Sequence, residues 1–389
     1  MTHALSRLLA PPRLRTTEID DEAERKATWF ELFFDLVFVV TIAELGNALA
    51  SDPTAGGFLR FAALFVPVWW AWAGFTFYAD RFDTDDLVYR LLGLVAMFAI
   101  AALATGVHDA FRGDVTVFVL AWVAARVVLV VLYARVVLSH EPGRRIATFY
   151  GVVFSAGALL WLVSLAVPSP WRYVVWGAVL AVELVAPVYG WRLLPGVPID
   201  PAHMPERFGL LTIIVLGESI LAVVLGVSGA SWETASAVAA AGGFVLAAAL
   251  WWTYFDFLDA SMVRRSSVAG LVYMYAHLPL TLGIASLGAG VKLAVLAAGG
   301  DDTHAKTAWL LGLGVAVCMG AMAVIQLATP PSLIDTGVLL RLGTGAAALL
   351  LVPLSFVVSP AVVLWLAGAV VVVAVALELL RHGPYAESP

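Results

Sequence analysis

From Trp29 to Arg381 the chain reads as a succession of apolar stretches, each about as long as a bilayer is thick, separated by short polar joints. A helix rises about 1.5 Å per residue and crosses roughly 30 Å of hydrocarbon with about 20 residues. At that length twelve spans fit: 29–50, 57–79, 87–107, 114–138, 146–167, 171–190, 206–228, 232–256, 268–297, 307–328, 335–357 and 361–381. The joints carry turn chemistry, as in Ser51-Asp52-Pro53, Asp83-Thr84-Asp85-Asp86, Glu141-Pro142-Gly143, Pro168-Ser169-Pro170, Gly299-Gly300-Asp301-Asp302 and Pro330-Pro331. Composition agrees, with 62% hydrophobic and 13% charged residues, against roughly 45–50% and about 25% in a soluble domain. The chain is predicted to be an all-α polytopic membrane protein in contact with the lipid bilayer.

One stretch recurs 184 residues later: Leu87, Val88, Tyr89, Ile100, Ala101, Leu103, Gly106 and Val107 reappear as Leu271, Val272, Tyr273, Ile284, Ala285, Leu287, Gly290 and Val291. Trp69-Trp70 with Trp72 precedes the first copy, and Trp251-Trp252 with Tyr254 precedes the second. The pattern predicts two tandem six-helix repeats at 29–190 and 206–381, joined by a linker at 191–205 and flanked by tails at 1–28 and 382–389. Six helices per repeat make the copies parallel. Sixteen Lys and Arg residues fall on the side of the N-terminal tail and five on the other. That bias, with an even number of spans, predicts both termini in the cytoplasm.

Ionisable groups inside the spans are the candidates for function, because a central charge costs about 2.5–3.5 kcal/mol on insertion scales. The first span holds Glu31, Asp35 and Glu44. Its twelve Leu, Ile, Phe and Val residues return roughly 4–7 kcal/mol, which two central carboxylates would cancel. Glu31 and Asp35 are four apart, share a face and can share a proton; alternatively, Glu31 serves the helix start. Glu218 lies near the middle of the seventh span beside Gly217, where it either binds a proton or cation or bonds between helices. His277, two residues before Pro279, replaces Gly93 of the first copy, as a titrating or metal-binding group or as a hydrogen-bonded packing residue. Asp256 is expected at membrane depth, whereas Asp80, Asp83, Asp85, Asp86 and Asp259 are expected at solvated helix ends. Arg126 needs a carboxylate partner among Asp35, Glu44 and Glu183. The tryptophans are read as interfacial anchors or packing.

The single cysteine, Cys318, excludes an intrachain disulfide and a multi-cysteine metal site. No Walker A, His-Glu-x-x-His or Gly-x-Ser-x-Gly pattern is present. The sequence therefore points to no cofactor, no nucleic-acid partner and no recognisable enzyme motif.

Several runs resemble the bacterial low temperature requirement protein A (LtrA) family. They are Trp29 to Phe38, Glu206 to Ile220, Trp251 to Asp256 and His277 to Leu280, and they contain Glu31, Asp35, Glu218, Asp256 and His277. The resemblance implies a multi-pass bacterial inner-membrane protein linked by name to growth in the cold, without a substrate or reaction. The leading expectation is a secondary transporter or ion-coupled permease, with mid-membrane carboxylates binding a proton or cation alongside a small-molecule substrate. The alternatives are a membrane-embedded lipid-modifying enzyme using Asp256 and His277, and a membrane sensor or assembly factor in cold adaptation.

Overall fold

The structure is a computed structural model and describes residues 12–14, 27–83, 85–139, 143–193, 203–229, 234–258, 267–300, 307–328 and 335–382. Most of both tails, most of the 191–205 linker, Asp259 and the turn residues Thr84, Glu141-Pro142, Asp301-Asp302 and Pro330-Pro331 lie outside the described residues.

The helices are α1 (Trp29–Ser51), α2 (Ala55–Arg81), α3 (Leu87–Thr105), α4 (Val107–Arg112), α5 (Thr116–Leu138), α6 (Arg144–Ser164), α7 (Trp171–Leu193), α8 (His203–Gly229), α9 (Thr234–Phe257), α10 (Ser267–Ala298), α11 (Trp309–Leu327), α12 (Thr336–Leu354) and α13 (Pro360–His382). Among the described residues, twelve of them are long and apolar enough to cross a membrane. The exception, α4, is a six-residue helix that the apolar pattern does not announce. A two-residue antiparallel ladder pairs β1 (Arg13–Leu14) with β2 (Phe82–Asp83).

Polar residues set several helix starts. Asp86 accepts from Tyr89 N at the start of α3, and Asp335 accepts from Val338 N at the start of α12. The long helices turn many large apolar side chains outward, among them Phe98, Val152, Leu350 and Leu380. Water would penalise these faces, whereas lipid accepts them.

The described chain divides into two compact units. One takes the chain up to Leu45 together with Ala63–Arg207, and the other takes Gly46–Ala62 together with Phe208 onward. In the first unit α3 packs on α5, α5 on α6 and α6 on α7. Its core includes a stack of indoles, Trp122–Trp161–Trp176, with ring centroids 4.3 and 4.2 Å apart. In the second, α10 packs on α11, α11 on α12, and α13 on α9, α10 and α12.

One expectation is corrected and two are sharpened. Asp80 and Asp86 are buried instead of solvated. Arg207 and Arg341, within the 206–228 and 335–357 spans, are buried. Of the two readings of the tryptophans, packing holds for Trp69, Trp70 and Trp72, which are fully enclosed. Partners inside the protein replace water: His203 for Asp80, Arg135 for Asp86, Asp35 for Arg207, Glu378 for Arg341 and carboxylates for Trp70 and Trp72.

Candidate functional site

The first helix opens with a reciprocal cap. Glu31 N donates to Thr28 Oγ1 at 3.2 Å, and Thr28 N donates back to Glu31 Oε2 at 2.8 Å. This Thr-x-x-Glu box satisfies backbone donors that a helix start leaves open. It also commits one Glu31 oxygen and turns the other toward His203, whose Nε2 lies 3.3 Å from Glu31 Oε1. His203 Nδ1 lies 3.3 Å from Asp80 Oδ1 near the end of α2. An imidazole thus stands between two buried carboxylates.

Asp35 is one turn further along α1, about 9 Å from its start. It is fully buried. Arg207 is one turn beyond His203 on α8, so the two basic side chains share a face. Asp35 Oδ1 accepts from Arg207 Nη2 at 2.7 Å and from Trp72 Nε1 at 2.8 Å. Both donors use the same oxygen. Asp35 Oδ2 has no hydrogen-bond partner among the described residues, and neither have Nε and Nη1 of Arg207.

The pattern repeats nearer the middle of the helices. Glu183 Oε2 accepts from Arg126 Nη2 at 2.9 Å and from Trp70 Nε1 at 2.8 Å. Glu183 Oε1 and Arg126 Nε and Nη1 have no partner among the described residues. The Arg126 guanidinium lies over the rings of Trp122 and Phe154, at 4.6 and 4.9 Å. Gly157 makes this approach feasible, since a Cβ there would overlap Glu183 Oε1. Of the three carboxylates considered for Arg126, the partner is Glu183.

A pocket in the first unit reaches Arg207. It is lined by Phe30, Glu31, Phe34, Phe75, Thr76 and Arg207, with Ala79, Tyr89, Gly93 and Leu132 completing it. Thr76 is buried, and its Oγ1 has no partner among the described residues. Gly93 leaves room for Phe30, because a Cβ there would come within 2.5 Å of Phe30 Cζ.

The remaining candidates stand elsewhere. Glu44 is partly exposed, 3.5 Å from His108. Glu218 is half-buried on α8 within the second unit, next to buried Ser219, which donates to the Ile284 carbonyl at 3.3 Å. Asp256 is exposed at the end of α9. His277 is fully buried in the second unit, with Nδ1 2.6 Å from the Tyr273 carbonyl and Nε2 2.7 Å from Tyr254 Oη. A carbonyl only accepts, so Nδ1 carries the proton, and a neutral ring accepts from the tyrosine at Nε2. Both nitrogens are thereby engaged. Among the described residues, no group of three or more His, Cys, Asp or Glu is arranged to hold a metal ion.

A family model for the bacterial low temperature requirement A protein (LtrA) matches residues 26–377. The chain belongs to the LtrA family. It is also similar to the uncharacterized protein RA0937 of Rhizobium meliloti (strain 1021), at 29% identity over 284 residues, covering 67% of this chain and 68% of that one.

In this LtrA-family chain, sequence reasoning named Glu31, Asp35 and Arg126 but missed Trp72, Arg207 and His203 as their neighbours. Two signals were present. Thr28-x-x-Glu31 is a capping box on sight. His203 and Arg207 are four residues apart just before an apolar run, which puts both on one face of its first turn. No sequence signal pairs Arg207 with Asp35, which is 172 residues away.

Proposed function

We propose that this LtrA-family chain is a secondary transporter, an ion-coupled permease of the bacterial inner membrane, with Asp35 as its coupling group. The half-used ion pair of Asp35 and Arg207 carries this reading. A buried pair kept only for stability is best served when every lone pair and N–H is satisfied. Here one carboxylate oxygen takes both donors while the other stays open, beside a cation with two nitrogens to spare. A proton on Asp35 would release Arg207 from its counter-charge, so proton occupancy and the binding of a second ligand are linked. Glu218, half-buried in the second unit, is the second candidate for ion binding.

A tandem duplication would fit the same reading. Phe30 lies 5.7 Å from Tyr89, and Phe208 lies 6.1 Å from Tyr273, the residue that repeats Tyr89. Gly93 faces Phe30 in the first unit, and its counterpart His277 faces Phe208 at 4.9 Å in the second. A phenylalanine from the first helix of each half lying against the same two positions of the recurring stretch is what a duplicated, parallel pair of six-helix repeats would retain, although Phe30 and Phe208 are offset by 178 residues and not by 184.

The test is transport by the full chain reconstituted in liposomes holding a pH-sensitive dye. With an imposed pH gradient and a panel of organic acids, amines, amino acids and sugars, one solute class should accumulate together with protons. Asp35→Asn should abolish gradient-driven accumulation while solute exchange persists. Unchanged accumulation in Asp35→Asn would refute the assignment, and Glu218→Gln run alongside reports on the second candidate. Absence of any flux, with an altered lipid profile or captured partner proteins in cells, would favour the enzyme or sensor alternatives.

A further inference from the structure

The pocket in the first unit has a definite chemical character. Its apolar wall is Phe30, Phe34, Phe75 and Leu132, and its polar groups include Glu31, Thr76 and Arg207. Glu31 already accepts from Thr28 at one oxygen and faces His203 with the other. Arg207 is 2% exposed, and its Nε and Nη1 have no partner among the described residues; the same holds for Thr76 Oγ1, on a side chain 1% exposed. The unused capacity is therefore mainly donor capacity on a guanidinium. A cation would meet Arg207 as a like charge, and a wholly apolar ligand would leave these donors unmet. An anion with an apolar body satisfies both parts of the wall.

Charge balance then sets the stoichiometry. Ionised Asp35 and Arg207 together are neutral, and the wall already carries the Glu31 carboxylate, held by the Thr28 N–H and facing His203, so an anion beside the pair would add one uncompensated negative charge. One proton on Asp35 removes it. The charged and titratable groups around Asp35 are Arg207 and Glu31, and behind Glu31 stand His203 and Asp80.

We propose that this pocket binds a small organic monocarboxylate, with its carboxylate on the spare nitrogens of Arg207 and its apolar body among Phe30, Phe34 and Phe75, together with one proton on Asp35. The proton half of the claim rests on the transporter reading; the binding half stands without it.

The experiment is a thermal-shift and equilibrium-binding series on the purified full chain at pH 6 and pH 8, with benzoate, benzylamine, benzyl alcohol and oleate as probes. Benzoate should stabilise the wild type, more at pH 6 than at pH 8, and the amine and alcohol should not. Arg207→Gln should weaken benzoate by about 10-fold or more, the loss of a charge-assisted bond. Should that variant fold poorly, Thr76→Val, which keeps the ion pair, should weaken benzoate by several-fold. Asp35→Asn leaves Arg207 without its counter-charge, so benzoate should still bind and its dependence on pH should vanish. Stabilisation by benzylamine instead of benzoate overturns the proposal, as does an unaltered pH dependence in Asp35→Asn. Stabilisation by oleate alone makes a membrane fatty acid the ligand and overturns the small-solute claim. Benzoate binding without any proton-coupled flux would sink the transporter reading and leave this site standing. Flux of another solute without benzoate binding would do the reverse.

Discussion

Glu31 and Asp35 share a face of one helix, yet their surroundings give them different tasks. Glu31 lies within reach of open backbone N–H groups, so it becomes the second half of a capping box. Asp35 lies one turn deeper, beyond the last open N–H, and needs side-chain donors, which Trp72 and Arg207 supply. The first role is legible from Thr28-x-x-Glu31 alone. The second is not, because nothing local to Asp35 names its donors. Trp72→Phe removes one donor to a buried charged acceptor and keeps the ring. It should lower stability by about 1.5–3 kcal/mol, read as a lower midpoint in thermal or denaturant unfolding of the detergent-solubilised chain. A midpoint equal to wild type would mean that the indole N–H contributes nothing to holding Asp35.

At the scale of the element, the apolar pattern locates the helices well, since each span is a local property of about 20 residues. The structure shifts their ends by a few residues and adds α4 and the β1–β2 ladder. Pairing between elements is another matter. Arg126 on α5 had three carboxylates within its reach in principle, and the fold selects Glu183 on α7, with Trp70 of α2 as a second donor. A buried pair of this kind costs more when halved than when removed whole. Glu183→Leu strands a buried guanidinium and should destabilise by about 3–5 kcal/mol. The double variant Arg126→Met with Glu183→Leu should be less destabilised than Glu183→Leu alone. Additive losses in that cycle would show that the two groups are not coupled.

At the scale of the whole molecule, burial of the single cysteine offers a direct check. Cys318 is 0% exposed, with its thiol directed at the Leu280 carbonyl at 3.7 Å. A maleimide should therefore leave the folded chain unlabelled and react once it is unfolded in detergent; rapid labelling of the folded protein would contradict the packing of α10 on α11. Reporters fused to either end test orientation, and both should give the cytoplasmic signal. By itself, the sequence determined the class of the protein, its twelve spans and the positions where charge inside the membrane calls for an explanation. It could do so because transfer of a side chain from water to lipid depends on that side chain and its immediate neighbours along the chain. Only the tertiary structure decided which charges meet: Asp35 with Arg207, Arg126 with Glu183 and Arg341 with Glu378. It also decided that His277 has both nitrogens engaged by Tyr254 and Tyr273. Those outcomes depend on distances between residues far apart in sequence, and helix packing sets such distances through the combined shapes of many side chains.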